Sequence, residues 1–449
     1  MSPLKLADAP APRRLCRDAG GDALTLRELP EAAARDACGA LLRPLRDVLV
    51  LLDGDDLEAT PGDRVCVVGT LKAALRPAAR AGGALACVLA VVACSVTPLR
   101  RPAPGHLPPF VDAPTAARVR QLAAGRDPLG LLAASLAPEL GAGAHAWPRR
   151  ALVLQLAAPP RSATAHAPAI GGMHCLLLGG PPAARAALLR AAAAAAPRAT
   201  ESHAQTDAPG GLTAAVRRDE ETGRWALHAG AMVLADDGVA CVDGFEALDS
   251  SYHDALCHVL AQPCVNTATA GINEAMHARC ALLAAAGGAC DASRSVAANL
   301  AQLPAALIQR FHLAWVLRQE PPPAEEQAAA AQGVAAGGEG AQQPAPVSAA
   351  LLRAHIAMSR VHRRPEIPEE TVDYASERYK ALRQAHASAE AEPPVSASTL
   401  ETMVSLAMAH ARLRLGDTLL SADVDVALQV MHAAVASGGR WAGRRTAPP

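Results

Sequence analysis

The sequence predicts an α/β core built on a parallel sheet, with part of a small β-barrel before it and an all-helical block after it. Three observations carry this. Between about residues 127 and 320, short apolar runs alternate with helical stretches, the order of strand–crossover–strand units. Up to about Pro98, short apolar runs alternate instead with turn residues. Beyond residue 347, apolar residues recur at i, i+3/i+4 and i+7. A chain of 449 residues has room for two or three such cores.

The first block contains LVLLDGDD, PGDRVCVVGT and ALACVLAVVACSV, with Pro61-Gly62-Asp63 as a turn signal before the β run RVCVVG. A connector, RRPAPGHLPPF, then leads to a helical stretch from about Asp112 to Leu136. In the core the expected units are a strand at MHCLLLGG, a helix from about Ala183 to Ala196, and strands at Met232–Leu234, VACVD and ARCALLAAA. Glu320 to Pro346 is rich in Pro, Gln, Ala and Gly and reads as a flexible linker. Three amphipathic helices follow: LLRAHIAMSRVHRR, TVDYASERYKALRQ and STLETMVSLAMAHARLRLG. The last is expected to be capped by Ser398 or Thr399 and ended by Gly416.

Composition narrows the chemistry. Hydrophobic residues make up 51% of the chain but aromatics only 2%, so its cores must be built from Ala, Leu and Val. A formal net charge of −1 gives no global attraction to nucleic acid, and any DNA contact must come from a local patch. The first residues lack the continuous apolar core of a signal peptide. The longest apolar run, about Ala84 to Ser95, is too short to span a bilayer, so no membrane association is expected. Eleven cysteines sit singly with no C-x-x-C pair, which argues against a zinc site and suggests small buried hydrophobes. His253, Cys257 and His258 read as one partly exposed helix rather than a metal centre.

Gly179-Gly180-Pro181-Pro182-Ala183-Ala184-Arg185-Ala186 follows an apolar strand and precedes a helix, the place where backbone N–H groups cradle a phosphate. Taken alone the signal is weak and reads first as an ordinary strand-to-helix turn. Asp243 ends the strand VACVD and is expected on the same sheet edge, at the end of a strand adjacent to the one before Gly179. There an aspartate holds Mg²⁺ or caps a helix. Glu246 and Asp249 follow closely, but their spacing aims them elsewhere.

Two longer stretches are far more specific: GLTAAVRRDEETGRWALHAGAMVLADDGVACVDGFEALD from Gly211, and TAGINEAMHARCALLAAA from Thr269. They resemble the core of the minichromosome-maintenance (MCM) family of hexameric DNA-helicase subunits. LRELPE, PGDRVCVVGT, ACSV, Ala196-Pro197-Arg198-Ala199 and STLETMVSLAMAHARLRL resemble its subunit-3 branch. The resemblance runs collinearly over about residues 16 to 437. It implies a partial OB-fold domain (1–99), a linker and helix (100–126), and an AAA+ P-loop NTPase core (127–320). A disordered linker (321–347), an all-α AAA-lid (348–437) and a tail (438–449) follow. The family's preceding helical subdomain and zinc-bearing insertion are absent, so the chain is expected to be N-terminally truncated.

The same resemblance assigns functional positions. The nucleotide loop falls on Gly179 to Ala186, keeping Gly179, Pro181 and Ala184 but replacing its Asp by Gly180, its Lys by Arg185 and its Ser by Ala186. The Walker B pair becomes Asp243 and Gly244, and the sensor-1 asparagine becomes Gly287. The lid arginine becomes Ser398, and a DNA-touching hairpin lysine becomes Thr269. The arginine that acts in trans on a neighbour's nucleotide is retained as Arg310. The family works with ATP and Mg²⁺, in a hetero-hexameric ring with other MCM subunits, on DNA in the nucleus. Positions that shape the fold are kept here, while those that touch phosphate, metal or water are mostly replaced. This argues for weak ATP binding and against hydrolysis.

Overall fold

Strands buried on both faces read as continuous apolar runs, and CLLL, ALLAAA and LAWV do so here. The computed structural model describes residues 6–8, 22–28, 47–52, 65–77, 85–98, 107–108, 111–141, 145–158, 172–204, 211–218, 225–248, 252–269, 272–287, 303–317, 347–362, 365–385, 395–437 and 440–441. The expected linker Glu320–Pro346 lies outside the described residues, as does Asp249. The chain folds as two compact units: residues 1–101, 207–236 and 262–279 form one, and 102–206, 237–261 and 280–449 the other. The run expected as one core is therefore divided between them.

In the first unit, β1 (Leu6–Asp8), β2 (Asp22–Glu28), β3 (Asp47–Leu52), β4 (Val65–Pro77) and β5 (Leu85–Pro98) form a sheet in the order β1-β2-β3-β5-β4. Every neighbouring pair is antiparallel except β3 with β5. This arrangement is consistent with the expected OB-type barrel. The β4–β5 ladder shifts register at Val68/Gly69. Val65 and Val67 before that bulge are buried, whereas Val68 and Leu71 face solvent.

The second unit begins with α1 (Ala113–Ala123) and α2 (Pro128–Ser135). The single helical stretch expected here is two helices, because Pro128 disfavours helical backbone at Asp127. Asp127 instead caps α2 by accepting from Gly130 N–H at 2.8 Å. Helix α3 (Ala146–Ala157) is buried along almost its whole length. Its Gln155 amide donates to the carbonyls of Met173 (3.0 Å) and Leu282 (2.9 Å), pinning the helix beneath the sheet.

Next come β6 (Cys175–Leu178), α4 (Pro182–Ala195) and β7 (Ala199–His203). The hairpin β8 (Ala214–Arg218) and β9 (Trp225–Ala229) belongs to the first unit. Met232–Leu234, expected as a strand, is instead part of the helical turn α5 (Ala231–Leu234). Three apolar residues have no readable period, and here Leu234 N–H returns to Gly230 O at 2.9 Å. β10 (Val239–Asp243) and α6 (His253–Ala261) precede a second first-unit hairpin, β11 (Cys264–Thr269) with β12 (Ile272–His277). β13 (Ala281–Ala286), the single turn α7 (Ala305–Ile308) and β14 (Leu313–Val316) complete the core.

The central sheet has the order β15-β14-β6-β13-β10-β7. Its five strands β14, β6, β13, β10 and β7 are parallel, as a chain of crossovers requires. The sixth, β15 (Arg440–Trp441), pairs antiparallel at the β14 edge, so part of the expected tail extends the sheet. β10 is not next to β6 as expected: β13 lies between them. The innermost place falls to the run ALLAAA, buried at every position.

The helical block comprises α8 (Ala349–Val361), α9 (Glu369–Ala385), α10 (Ala397–Leu413) and α11 (Ser421–Ala436). α10 is capped by Ser396, two residues before Ser398 and three before Thr399, with Thr399 Oγ1 accepting Ser396 N–H at 3.0 Å. At its end Leu415, not Gly416, takes the left-handed conformation (φ 54°), and Gly416 N–H closes on Ala411 O at 2.9 Å. Leu406, Met431, Leu152, Leu177 and Trp315 belong to one continuous core, so these helices pack as part of the sheet's own unit. Arg353 and Arg360 bolt α8 down, donating to the carbonyls of Pro197 (3.3 Å), Leu156 (3.1 Å) and Asp237 (2.6 Å).

Candidate nucleotide site

The loop Gly179–Ala186 leaves the carboxyl end of β6, and its backbone is committed to the sheet before any ligand arrives. Gly179 N–H donates to Ala286 O (3.0 Å) at the end of β13, and Leu317 N–H donates to Leu178 O (2.8 Å). Gly179 and Gly180 both have positive φ (64° and 68°). A Cβ at Gly180 would lie 2.7 Å from Leu317 Cβ, so the aspartate of the family pattern does not fit there.

An anion cradle needs free N–H groups, and this loop has few. Pro181 and Pro182 have none. The amides of Ala184 and Arg185 are spent on Pro181 O, at 3.1 and 3.2 Å. Gly180 and Ala183 remain for a ligand. Arg185 does not project outward: its Nη1 donates to the carbonyls of Gly179 (3.1 Å) and Gly180 (2.9 Å).

Asp243 ends β10 on the same sheet edge, one strand beyond β13, and its carboxylate accepts Gly244 N–H at 2.9 Å. Gly244 has φ 68°, and a Cβ there would meet the His203 ring at 2.9 Å. A glutamate at this position would be strained whatever its side chain did. Gly287 follows β13. A Cβ on it would lie 2.8 Å from Glu246 Oε1 and 3.3 Å from Arg185 Nη2, so those two side chains point at one spot. Glu246, expected to aim elsewhere, is thus a site residue. A 3-10 turn over Phe245–Ala247 swings it back. Nothing in the sequence signals that turn except Gly244 itself.

These residues lack the groups that hold a Mg²⁺–nucleotide complex tightly. Ala186 offers no hydroxyl, Gly180 and Gly244 no carboxylate, and the cation of the loop is turned onto the loop's own carbonyls. Among the described residues no group of three or more His, Cys, Asp or Glu side chains is placed to hold a metal.

Arg310 lies elsewhere, in the turn between α7 and β14, with its N–H bonded to Leu307 O at 2.9 Å. β14 and β6 are parallel, so Arg310 precedes the amino end of the sheet, opposite the edge carrying Gly179. It is half-buried, and among the described residues it has no carboxylate partner. Its guanidinium sits beside Cys257 of α6. Burial pushes that thiol up, and the charge and hydrogen bond of Arg310 partly offset the shift. Thr269 ends β11 in the second hairpin, and Ser398 lies in the first turn of α10. The cysteines are mixed: burial pushes the Cys175 thiol up to about 12, whereas Cys94 is exposed.

A parallel five-stranded core with a glycine loop at the carboxyl end of β6 and an aspartate ending β10 defines a P-loop α/β protein. Residues 115–335 match the family model described as the MCM P-loop domain, and residues 350–435 that described as the MCM AAA-lid domain. The chain belongs to the minichromosome-maintenance family.

Similar proteins include the DNA replication licensing factor MCM7 of Oryza sativa subsp. indica, 35% identical over 326 residues that cover 70% of this chain and 44% of that protein. The licensing factor mcm7-A of Xenopus laevis is 33% identical over 307 residues, 67% of this chain and 42% of that protein. The DNA replication licensing factor MCM3 homolog 3 of Zea mays is 30% identical over 472 residues, 94% of this chain and 60% of that protein. Identity favours the MCM7 proteins and coverage the MCM3 protein, so the comparison assigns the family rather than the subunit-3 branch. The chain spans about half the length of these relatives. No helix among the described residues is long and apolar enough to cross a membrane.

Proposed function

We propose that this chain is a subunit of an MCM-type ATP-dependent DNA-helicase ring, acting in DNA replication in the nucleus beside other MCM subunits. It holds ATP weakly at its own loop, does not hydrolyse it, and lends Arg310 in trans to a neighbour's nucleotide. The observation that supports this best is the contrast between two places in one unit. The loop's phosphate-contacting groups are replaced and turned inward. Arg310 is a half-buried residue away from that loop, its side chain hydrogen-bonded to Cys257 and, among the described residues, without a carboxylate partner. An arginine supplied in trans stabilises charge building on the transferred phosphoryl group, an effect of several orders of magnitude in rate.

A second reading, a non-catalytic interaction module in replication or recombination, is favoured by Gly244, Gly287 and Ser398, which stand where the family pattern has its Walker B glutamate, sensor-1 asparagine and lid arginine. One experiment separates the two. The chain is combined with an ATP-competent neighbour, and turnover of the complex is compared for the parent and Arg310→Ala. The ring-subunit reading expects a fall of at least about a hundredfold at the shared site, with the Arg310→Ala chain folded as before. A complex indifferent to the substitution, or no complex at all, leaves the interaction module.

A further inference from the structure

The geometry points to a phosphate loop held by its own side chain: the Arg185 guanidinium is an internal ligand of Gly179 and Gly180, and the bare Cα of Gly287 leaves the space that Arg185 Nη2 and the Glu246 carboxylate approach from two sides. This rests on reading Gly179–Ala186 as the family's phosphate loop, but says what now occupies it.

Arg185 is the fourth residue of α4, so its charge sits in the first turn, at the positive end of the helix dipole. No acidic residue stands in that turn to offset it. What offsets it is the loop. Nη1 bridges the carbonyls of Gly179 and Gly180 at 3.1 and 2.9 Å. A planar guanidinium does this while its second nitrogen stays free for another direction, which a compact ammonium does less well. That second nitrogen, Nη2, points at Gly287, and Glu246 Oε1 reaches the same spot from the turn after β10. Any side chain at 287 would start within 2.8 Å of the carboxylate and 3.3 Å of the guanidinium. The arginine at 185 and the glycine at 287 are therefore two halves of one rearrangement. The guanidinium ties the loop to itself through those two carbonyls and so is turned away from any phosphate at the amides of Gly180 and Ala183.

Amide hydrogen exchange over 179–186 in the full-length chain tests this. The parent loop is expected to exchange slowly without ligand and to be unchanged by Mg²⁺·ATP at about 1 mM. Arg185→Ala should speed exchange there by about tenfold or more and leave α10 unaffected as the folding control. Arg185→Lys and Gly287→Ala should each speed it by a smaller factor. An Arg185→Ala loop that exchanges like the parent's overturns the proposal, as does a parent loop slowed tenfold by Mg²⁺·ATP. The outcome is independent of ring assembly: indifference of a complex to Arg310→Ala would remove the ring reading and leave this contact standing.

Discussion

Restoring the carboxylate that the family pattern places after Asp243 should damage this protein rather than revive it. Gly244 sits at φ 68°, ψ 31°, and an L-residue there costs about 1–2 kcal/mol. Its Cβ would also start 2.9 Å from His203 Cε1, on the neighbouring strand β7. Accommodating that overlap costs about a further 1–3 kcal/mol if the ring must shift within a packed edge. The sum, about 2–5 kcal/mol, should lower the unfolding midpoint of the second unit by on the order of 5–10 °C. Thermal and urea unfolding of Gly244→Glu measure it directly. Gly244→Ala shares the backbone and Cβ terms and lacks the carboxylate, so it should lose nearly as much. His203→Ala in the Gly244→Glu background should recover the overlap but not the backbone cost. ATP turnover of Gly244→Glu should stay at background. A variant that melts with the parent, or that gains turnover, would refute the reasoning.

Other consequences follow from buried polar groups. Asp423, 1% exposed, accepts from His410 Nδ1 (2.7 Å), Arg414 (3.0 and 2.8 Å) and Leu420 N–H (2.8 Å). Burial pushes its carboxyl up, but those hydrogen bonds outweigh burial and the net shift is downward. Its contribution to stability is therefore complete above the ordinary value of 3.8 and is lost as pH falls through the lower folded value. Asp423→Ala should cost about 3–5 kcal/mol at neutral pH, read by urea unfolding. His355, fully buried with Nε2 on Leu413 O at 2.7 Å, is held below its ordinary 6.5 by burial. The folded state resists the proton that the unfolded chain accepts, so stability should decline as pH drops below 6.5. His355→Gln should flatten that decline. Gln155→Leu strips the donors from Met173 O and Leu282 O and should cost about 2–4 kcal/mol in the same assay.

Much of this was legible in the chain because strand and loop positions are written in residue type. CLLL, VACVD, ALLAAA and the glycine pair at 179–180 locate three strands and the loop without further help. Met232–Leu234 was not legible, since three apolar residues fit a strand or a helical turn equally. The helix breaks at Asp127 and Leu415 depend on Pro128 and on one left-handed residue. The site was harder. Position 185 shows a lost lysine in the sequence, but not that the guanidinium folds back onto two carbonyls. Glu246 enters only because a left-handed glycine starts a 3-10 turn. Distance along the chain says nothing of that.

ATP turnover by the purified full-length chain, without ring neighbours, tests the central claim most directly. A loop with two free amides, an inward-turned arginine and bare Cα atoms at 244 and 287 should turn over no faster than a buffer control, with Arg185→Ala giving the same rate. Steady hydrolysis by the parent that disappears in Arg185→Ala or Asp243→Asn would show a working site and contradict the account.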